Sequence, residues 1–397
     1  IEGDNRYNPT MFRRGSTIAV VKTDSEQDRT FIETLDQKKF TAKANLIAPY
    51  RKSSTAGETV FYQGVSIKRI PAGTLLVHDL SIPVLSEVIS APVFTKDGNL
   101  ISLLGYNAKT GFYYAKSQNL NIPSIPRVIS ADNVAEAKRI LAEELLGDFE
   151  LDGVSRAELV KSALGNDRDT PPPASFLNAI GMLMEQFVRP MIEGPVMPHL
   201  ITKTVKGAGG GLLSNTIGYI VEGSMSSRPM AKNEDEKRKA ITTALKSGTR
   251  IICWDKVAGE LSSTSLASVT TEPVWTDRLL GRSSEVSIPV RSSFVLVGIR
   301  PLLSDELRRR MSLIEMKPQT AKPEERTGFR HESLMAYVKK NRGQFVWAVL
   351  VLAKNWIQKG CPAPEHAPII GSYEAYRYVI GGIIEAASGN WTSWQSN

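Results

Sequence analysis

The sequence predicts an α/β fold with a parallel sheet at its core, and three observations indicate it. Between about residues 194 and 316, strand-like runs alternate with helix-like segments, as expected when parallel strands are joined by helices. Residues 1–128 mix short strand-like runs with Gly, Asn and Asp turns, which indicates a small α+β domain. Residues 330–397 are almost wholly helical in pattern, which indicates a C-terminal helical lid.

Composition narrows the class of protein. At 397 residues the chain is long enough for two or three domains, and 42% hydrophobic with 23% charged residues is typical of a soluble globular protein. No signal peptide is evident and the apolar run at 345–353 is too short to cross a bilayer, so no membrane association is expected. Two cysteines and four histidines offer neither a disulfide framework nor a metal-ligand spacing, which favours a reducing cytoplasm.

The charge balance gives a first indication of a partner. Lys and Arg outnumber Asp and Glu by 49 to 41, for a formal charge of +8, which attracts a polyanion such as nucleic acid.

The elements follow in order along the chain. The N-terminal strand-like runs are "STIAVV", "TVFYQGVSI" and "NLISLLGY", with one helical pattern near residues 34–47. The next helix begins near Asp132 as a plausible N-cap, and two more are predicted at 155–164 and 174–192, separated by "DTPPPAS". The core strands are "MPHLITKT", "TRIICWDKV", "SEVSIPV" and "SSFVLVGI". The predicted domains are 1–128, 129–193 (a helical linker), 194–320 (the core) and 321–397 (the lid).

The segment "KGAGGGLLSN" lies between a core strand and a helix, where a phosphate-binding P-loop would lie. In such a loop, backbone N–H groups at the helix N-terminus converge on phosphates, and a lysine reaches the β and γ oxygens. With Gly209 at the second consensus glycine, Thr204 takes the first, Gly210 takes the lysine position and Gly211 takes the hydroxyl position. Three of the four consensus positions fail, so the loop by itself also fits a plain strand-to-helix turn without a ligand.

Two later features favour a nucleotide site. Asp255 ends the apolar run "RIICWD", as expected of a carboxylate that holds the water shell of Mg²⁺, although it would equally cap a turn. Arg308, Arg309 and Arg310 follow the strand "FVLVGI" on a predicted helix. One of them would serve as an arginine finger on a neighbouring subunit's nucleotide, or the three form a solvated basic face.

From Thr202 onward the chain resembles the helicase-type ATPase module of primase–helicase replication proteins carried by phages, plasmids and other mobile elements. The likeness rests on the order of several segments, listed here from the sequence: "KGAGGGLLSN", "DEKRKAITTAL", "WDKVAGELSSTSLA", "TDRLLGRS", "VLVGIRPLLSDELRRR", "GFRHESLMAYVKKNR", "AVLVLAKNWIQKG" and "GSYEAYRYVIGGI". It implies an AAA+-like or superfamily-3-like P-loop NTPase that forms a hexameric ring and acts on single-stranded or forked DNA with ATP and Mg²⁺. Priming activity, where the system has it, is expected on another chain or segment.

The resemblance also implies roles for individual residues. The nucleotide would be bound by Lys206, Gly207, Gly209, Gly210, Gly211 and Leu212. Asp255 would be the Walker B carboxylate and the metal ligand, and Arg309 or Arg310 the finger, with Arg330 as a further nucleotide-sensing candidate.

Three departures from the family pattern fall in this one site. Gly210 and Gly211 replace the lysine and the small or hydroxyl residue, Lys256 replaces the asparagine after the Walker B aspartate, and "GIR" with Arg300 replaces a polar sensor. Lys206 or Lys203 folding back, or Lys256 reaching across from the neighbouring strand, would replace the lost cation.

Three functions therefore stay open at this stage. One is an active replicative helicase with weak or degenerate ATP hydrolysis. The second is a non-hydrolysing DNA-binding assembly or loader protein that keeps the ATPase fold, and the third is an α/β protein that binds no nucleotide.

Overall fold

The computed structural model describes most of the chain. The described residues are 9–15, 17–24, 29–36, 38–40, 42–43, 82–115, 117, 120–225, 227–278 and 285–392, with the backbone alone of 51–53 and 59–61. Within them, no helix combines the length and the apolar character that crossing a bilayer requires.

The described residues of the N-terminal part include short strands, as the sequence predicts. These are β1 (Met11–Arg14), β2 (Thr17–Asp24), β3 (Arg29–Thr34), β4 (Arg51–Ser53), β5 (Thr59–Phe61), β6 (Glu87–Ile89), β7 (Val93–Phe94), β8 (Leu100–Ile101), β9 (Gly105–Asn107) and β10 (Phe112–Tyr114). β1, β2 and β3 form an antiparallel sheet, whereas β10 pairs parallel to β6 and antiparallel to β9. The predicted helix near 34–47 is helical at 38–40 and 42–43, and the remainder of "TVFYQGVSI" after β5 lies outside the described residues.

Between the N-terminal strands and the core, the described residues form three helices. They are α1 (Ala131–Arg139), continued by a π-helix (Ile140–Leu146), α2 (Arg156–Leu164), and α3 (Ala174–Val188), which leads into a 3₁₀ turn (Arg189–Met191). The predicted cap of α1 is wrong, because Ser130 caps the helix and Asp132 lies in its first turn. The Ser130 hydroxyl accepts from the Asn133 N–H while the Asn133 side chain accepts from the Ser130 N–H, and this reciprocal pair fixes the start of the helix.

The core contains a five-stranded parallel sheet. This confirms the prediction of an α/β fold with a parallel sheet. Its elements in chain order are β11 (His199–Lys203), α4 (Gly210–Glu222), β12 (Ser227–Pro229), α5 (Glu234–Ser247), β13 (Ile251–Val257), β14 (Glu260–Leu261), α6 (Thr264–Val269), β15 (Val274–Arg278), β16 (Glu285–Pro289), β17 (Ser293–Ile299), β18 (Leu302–Leu303), α7 (Asp305–Arg308) and β19 (Ser312–Met316). The strand order is β12-β13-β17-β11-β19, and every neighbouring pair is parallel. The glycine-loop strand β11 therefore lies inside the sheet.

Two predicted elements of the core differ from the structure. "SEVSIPV" forms β16, which pairs antiparallel with β15 in a hairpin outside the parallel sheet, with Trp275 opposite Ile288. The arginine-bearing helix is also shorter than predicted, because α7 ends at Arg308 and Arg309 is already its C-cap.

Both faces of the parallel sheet are buried. Ile201, Cys253 and Val295 lie in one apolar cluster, whereas Leu200, Trp254 and Leu296 lie in another. This alternation follows from the two-residue period of a strand, and coverage of both faces is typical of parallel sheets. The first cluster includes residues of α3 and α4, and the second includes residues of α5 and α6.

The C-terminal helices share the first of these clusters. They are α8 (Leu334–Gln358), which has a non-helical residue at Asn341, α9 (Glu374–Tyr376), a π-helix (Arg377–Gly381) and α10 (Gly382–Ala387). Arg342 of α8 is buried and donates to the carbonyls of Ile220 and Val221 at the end of α4. The glycine-loop helix is therefore attached to the C-terminal segment at its far end. The four predicted domains, including a helical lid at 321–397, stay predictions.

Candidate functional site

The glycine loop joins the end of β11 at Lys203 to the start of α4 at Gly210. Gly209 is the N-cap of α4 with φ 91°, and Gly207 has φ 78°. These are left-handed conformations that residues with a Cβ rarely adopt. Among the described residues no side chain caps α4, so its first-turn N–H groups make no side-chain cap hydrogen bond at the positive end of the helix.

Close neighbours surround three of the four glycines. A Cβ at Gly207 would lie 2.6 Å from Glu324 Oε2, and one at Gly209 would lie 3.2 Å from the Phe149 ring. At Gly210 the added Cβ would lie 2.8 Å from Cδ of Lys203. The loop is thus closely packed against a carboxylate, an aromatic ring and a lysine stem.

Gly211 faces the predicted metal ligand. A Cβ added at Gly211 would lie 3.9 Å from Asp255 Oδ2, so the carboxylate lies directly beside the first turn of α4. The expectation that Lys256 lies on the strand next to β11 is wrong, because β17 lies between β11 and β13, the strand that carries Asp255 and Lys256. The pairing of β13 with β17 shifts between Trp254 and Val257, and such an irregularity redirects side chains at a strand end.

Asp255 has few polar neighbours within the described part of the chain. Its Oδ1 accepts the N–H of Lys256 at 2.6 Å, and Oδ2 faces the loop. No group of three or more His, Cys, Asp or Glu side chains suited to a metal is found among the described residues. A magnesium ion at Asp255 would therefore share its coordination with water and ligand phosphates, as Mg²⁺ commonly does.

Three positively charged residues lie at the same edge of the sheet. Lys203 ends β11, Lys256 lies within β13 and Arg300 directly follows β17. Because parallel strands place their carboxyl ends at one edge, these three side chains start from the edge that carries the glycine loop. Lys256 has φ 59° and Arg300 has φ 43°, and non-glycine residues in this region cluster at functional sites.

A cavity of about 310 Å³ opens beside the loop. Its lining on the loop side includes Gly207, Ala208, Gly209 and Leu212. Two aromatic residues also line it: Phe149, which precedes the core in the sequence, and Phe329, which follows it. The guanidinium of Arg326 lies 4.5 Å from the Phe329 ring centroid and 2.7 Å from Glu150. The cavity next to the helix N-terminus is mixed in character, because Asp148, Glu150 and Glu332 line it together with the apolar and aromatic side chains.

The arginine candidates occupy different environments. Arg310 pairs with Glu306 at 3.0 Å and donates to the Ala267 carbonyl at 3.4 Å, so it is engaged within its own subunit. Arg308 and Arg309 are exposed. Lys206 is also exposed, on the loop itself. Of the two finger candidates, Arg309 is the exposed one.

Arg330, the nucleotide-sensing candidate, is bound to a carboxylate. Its Nε and Nη2 donate to Glu144 at 2.9 and 2.7 Å, and Arg139 donates to the same carboxylate at 2.8 Å. The Arg330 hydrogen bonds, followed by those of Arg139, lower the pKa of Glu144 to about 2. This cluster links the π-helix after α1 to the segment before α8, and lies beside the cavity that His331 lines.

The depressed pKa of Glu144 predicts an acid-dependent loss of stability. A carboxyl group whose pKa is lower in the folded state stabilises the fold above its ordinary pKa near 4.5, and this stabilisation is lost as pH falls toward 2. We expect Glu144→Gln to be less stable than wild type at pH 7, with a gap of up to about 3 kcal/mol that narrows steadily as pH falls from about 5 toward 2. Urea unfolding across that range measures the gap.

Glu136→Gln is the comparison variant. Glu136 also binds Arg139 but its side chain is 47% exposed, so solvent screens the pair and a smaller gap is expected. A gap for Glu144→Gln that stays constant with pH would contradict the assignment of this cluster.

Some residues at the site carry no signal in the sequence. Phe149, Glu324 and Phe329 reach the glycine loop only because segments before and after the core fold over it. Only a motif spanning both flanks of the core would identify them.

Comparisons with known proteins add a limited result. No protein-family model and no curated protein matches the chain. Among solved structures, the apo A form of the NrS-1 C-terminal region matches with 11% identity and a TM-score of 0.39, covering 91% of this chain and 71% of that one. JCV helicase matches with 12% identity and a TM-score of 0.28, covering 66% of this chain and 68% of that one. These are loose likenesses, and they do not establish a function.

Proposed function

We propose that this chain is a helicase-like ATPase module of a DNA replication protein of a mobile genetic element, which binds ATP with Mg²⁺. The observation that carries the proposal is the approach of Asp255 to the first turn of α4, at the carboxyl edge of a parallel sheet. A carboxylate would ordinarily be repelled by a phosphate at that helix terminus. A divalent cation between the two would turn this repulsion into attraction.

The remaining geometry accommodates the other parts of the nucleotide. The N–H groups of the loop and of Leu212 would hold the phosphates, and the cavity beside Phe149 and Phe329 would take the base. The carboxylate of Glu324 against Gly207 opposes a polyanion, so we expect it to turn further toward the solvent to which it is already exposed.

The DNA part of the proposal rests on charge. The formal charge of +8 and the exposed Arg308, Arg309 and Lys256 favour a polyanionic partner. In a hexameric ring Arg309 would reach the nucleotide of the adjacent subunit, and ATP hydrolysis is expected to be slow because Gly210 holds the usual lysine position.

A second function is favoured by that same glycine. A protein that keeps the fold but lacks the lysine at this position fits a non-hydrolysing DNA-binding loader or assembly factor. It predicts binding of nucleotide and DNA without turnover.

One experiment separates these functions. Equilibrium binding of a fluorescent ATP analogue with Mg²⁺ is measured first, followed by phosphate release from ATP with and without single-stranded DNA. Binding with slow, DNA-stimulated release supports the ATPase module, and binding without release supports the loader. Absence of nucleotide binding would reject both and leave a glycine turn without a ligand.

Substitution in the loop gives a prediction for the binding step. We expect Gly209→Ala to weaken binding of the ATP analogue by about tenfold or more. A left-handed φ of 91° costs a residue with a Cβ on the order of 1–3 kcal/mol, and the added methyl group approaches Phe149. Gly194→Ala is the matched control, since Gly194 has a similar left-handed φ of 88° outside the loop and its Cβ would meet nothing within 4 Å. Equal affinities for the two variants would show that the loop conformation is not used in binding.

A further inference from the structure

We propose that Lys203, the last residue of β11, supplies the cation that P-loops place at the position of Gly210. This assignment rests on the proposed nucleotide site and identifies which residue contacts its terminal phosphates. Lys206 and Lys256 are the other two lysines that the sequence offers for this role, and the structure distinguishes Lys203 from both.

The first argument is the position of the Lys203 stem. A Cβ added at Gly210 would lie 2.8 Å from Cδ and 3.2 Å from Cγ of Lys203. The stem thus fills the space from which a lysine side chain at position 210 would start. Cε and the ammonium group extend beyond that point, so the charge lies next to the first turn of α4.

The second argument is that the backbone of β11 fixes this direction. Ile201 and Lys203 lie on the same face of the strand, and both contact the place of the missing Cβ, with Ile201 Cγ2 at 3.2 Å. Lys203 is held between two neighbours, opposite Ile299 on β17 and Met316 on β19. The side chain therefore leaves a strand inside the sheet toward the N-terminus of α4.

The third argument is the state of the charge. Lys203 is half-buried, and among the described residues no carboxylate forms an ion pair with its ammonium group. Lys206 and Lys256 are exposed, so solvent screens them more strongly. A half-buried ammonium group beside a helix N-terminus adds to the positive potential there, and an anion is the ligand that this arrangement favours.

The same geometry explains the glycine. A side chain at position 210 and the stem of Lys203 compete for one volume, so Gly210 is the complement of Lys203. Lys203 at the strand end then replaces the consensus lysine, and glycine at position 210 makes room for it.

The test measures binding of AMP, ADP and ATP, each with Mg²⁺, to the full chain by competition with a fluorescent ATP analogue. Lys203→Met keeps an apolar stem against Gly210 and removes the charge. We expect this variant to bind AMP with unchanged affinity. Its affinity for ADP is expected to fall moderately, and its affinity for ATP by about 10–100-fold. Lys206→Met and Lys256→Met remove the same charge from exposed positions and are expected to change ATP affinity less than threefold.

A reciprocal variant tests the exchange directly. Lys203→Ala clears the volume and is expected to lose ATP affinity, and adding Gly210→Lys is expected to restore it. Retained AMP binding shows in each case that the variant has folded.

The outcomes distinguish this assignment from the proposed function. If Lys203→Met binds ATP as wild type does, or if the loss is equal for AMP and ATP, the assignment is overturned while the nucleotide site stands. If wild type binds none of the three nucleotides, the proposed function falls and the assignment falls with it.

Discussion

Asp255→Asn is expected to abolish most of the Mg²⁺-dependent part of ATP-analogue binding, a loss of about 10–100-fold in the presence of Mg²⁺. The amide keeps the size of the carboxylate but loses the charge that would hold the metal or its water shell. Without Mg²⁺, and with a chelator present, the variant is expected to bind as well as wild type or slightly better, because a negative charge 3.9 Å from a Cβ position on the phosphate loop has been removed. Titrations with and without Mg²⁺ measure both effects.

Glu260→Gln is the matched control for this variant. Glu260 is an exposed carboxylate on β14, shortly after Asp255 in the chain, so its substitution changes the net charge by the same amount. We expect no change in Mg²⁺ dependence. If Asp255→Asn keeps the wild-type response to Mg²⁺, the carboxylate only caps the turn at Lys256, and the proposed metal role is wrong.

Gly343→Ala is expected to be strongly destabilising, by about 3 kcal/mol or more. Alanine normally favours a helix interior over glycine by about 1 kcal/mol. Here the added Cβ would lie 1.7 Å from the carbonyl oxygen of Asn121 and 2.4 Å from its carbonyl carbon, and a backbone cannot move aside as a flexible side chain can. Urea unfolding monitored by circular dichroism measures the change.

The same substitution should reach the nucleotide site. Arg342, the adjacent residue, donates to the carbonyls at the end of α4, so a displaced α8 loosens the glycine-loop helix. Gly371→Ala is the control, since its Cβ meets nothing within 4 Å, and a change within about 0.5 kcal/mol is expected. Similar unfolding midpoints for the two variants would contradict the close approach of α8 to Asn121.

The sequence was informative where the signal is local. The start of α2 at Arg156 follows from Ser155 and Glu158, which cap it reciprocally within three residues of each other. The same chemistry explains the error at α1, where both Ser130 and Asp132 can cap and the reciprocal partner Asn133 selects Ser130. The alternation of strands and helices predicted the parallel sheet for a similar reason. The spacing of apolar residues that distinguishes a strand from a helix can be read within each segment.

Pairing between distant segments was less predictable. The run "SEVSIPV" has the pattern of a core strand, yet β16 pairs with β15 in an antiparallel hairpin. Nothing in the period of a strand states which partner it will take, and two strands close in sequence pair at a small entropic cost. The position of β17 between β11 and β13 is the same kind of information, and it overturned the expectation that Lys256 lies on the strand next to β11.

For the candidate site, the sequence alone determined the glycine loop between a strand and a helix and the aspartate near a strand end, because composition and spacing along the chain define both. Only the tertiary structure decided that Asp255 faces Gly211, that Lys203 rather than Lys206 lies over Gly210, and that Arg330 is bound to Glu144. The physical reason is that these are contacts between side chains brought together by packing. Their distances depend on strand order and helix placement, which no short stretch of residues specifies.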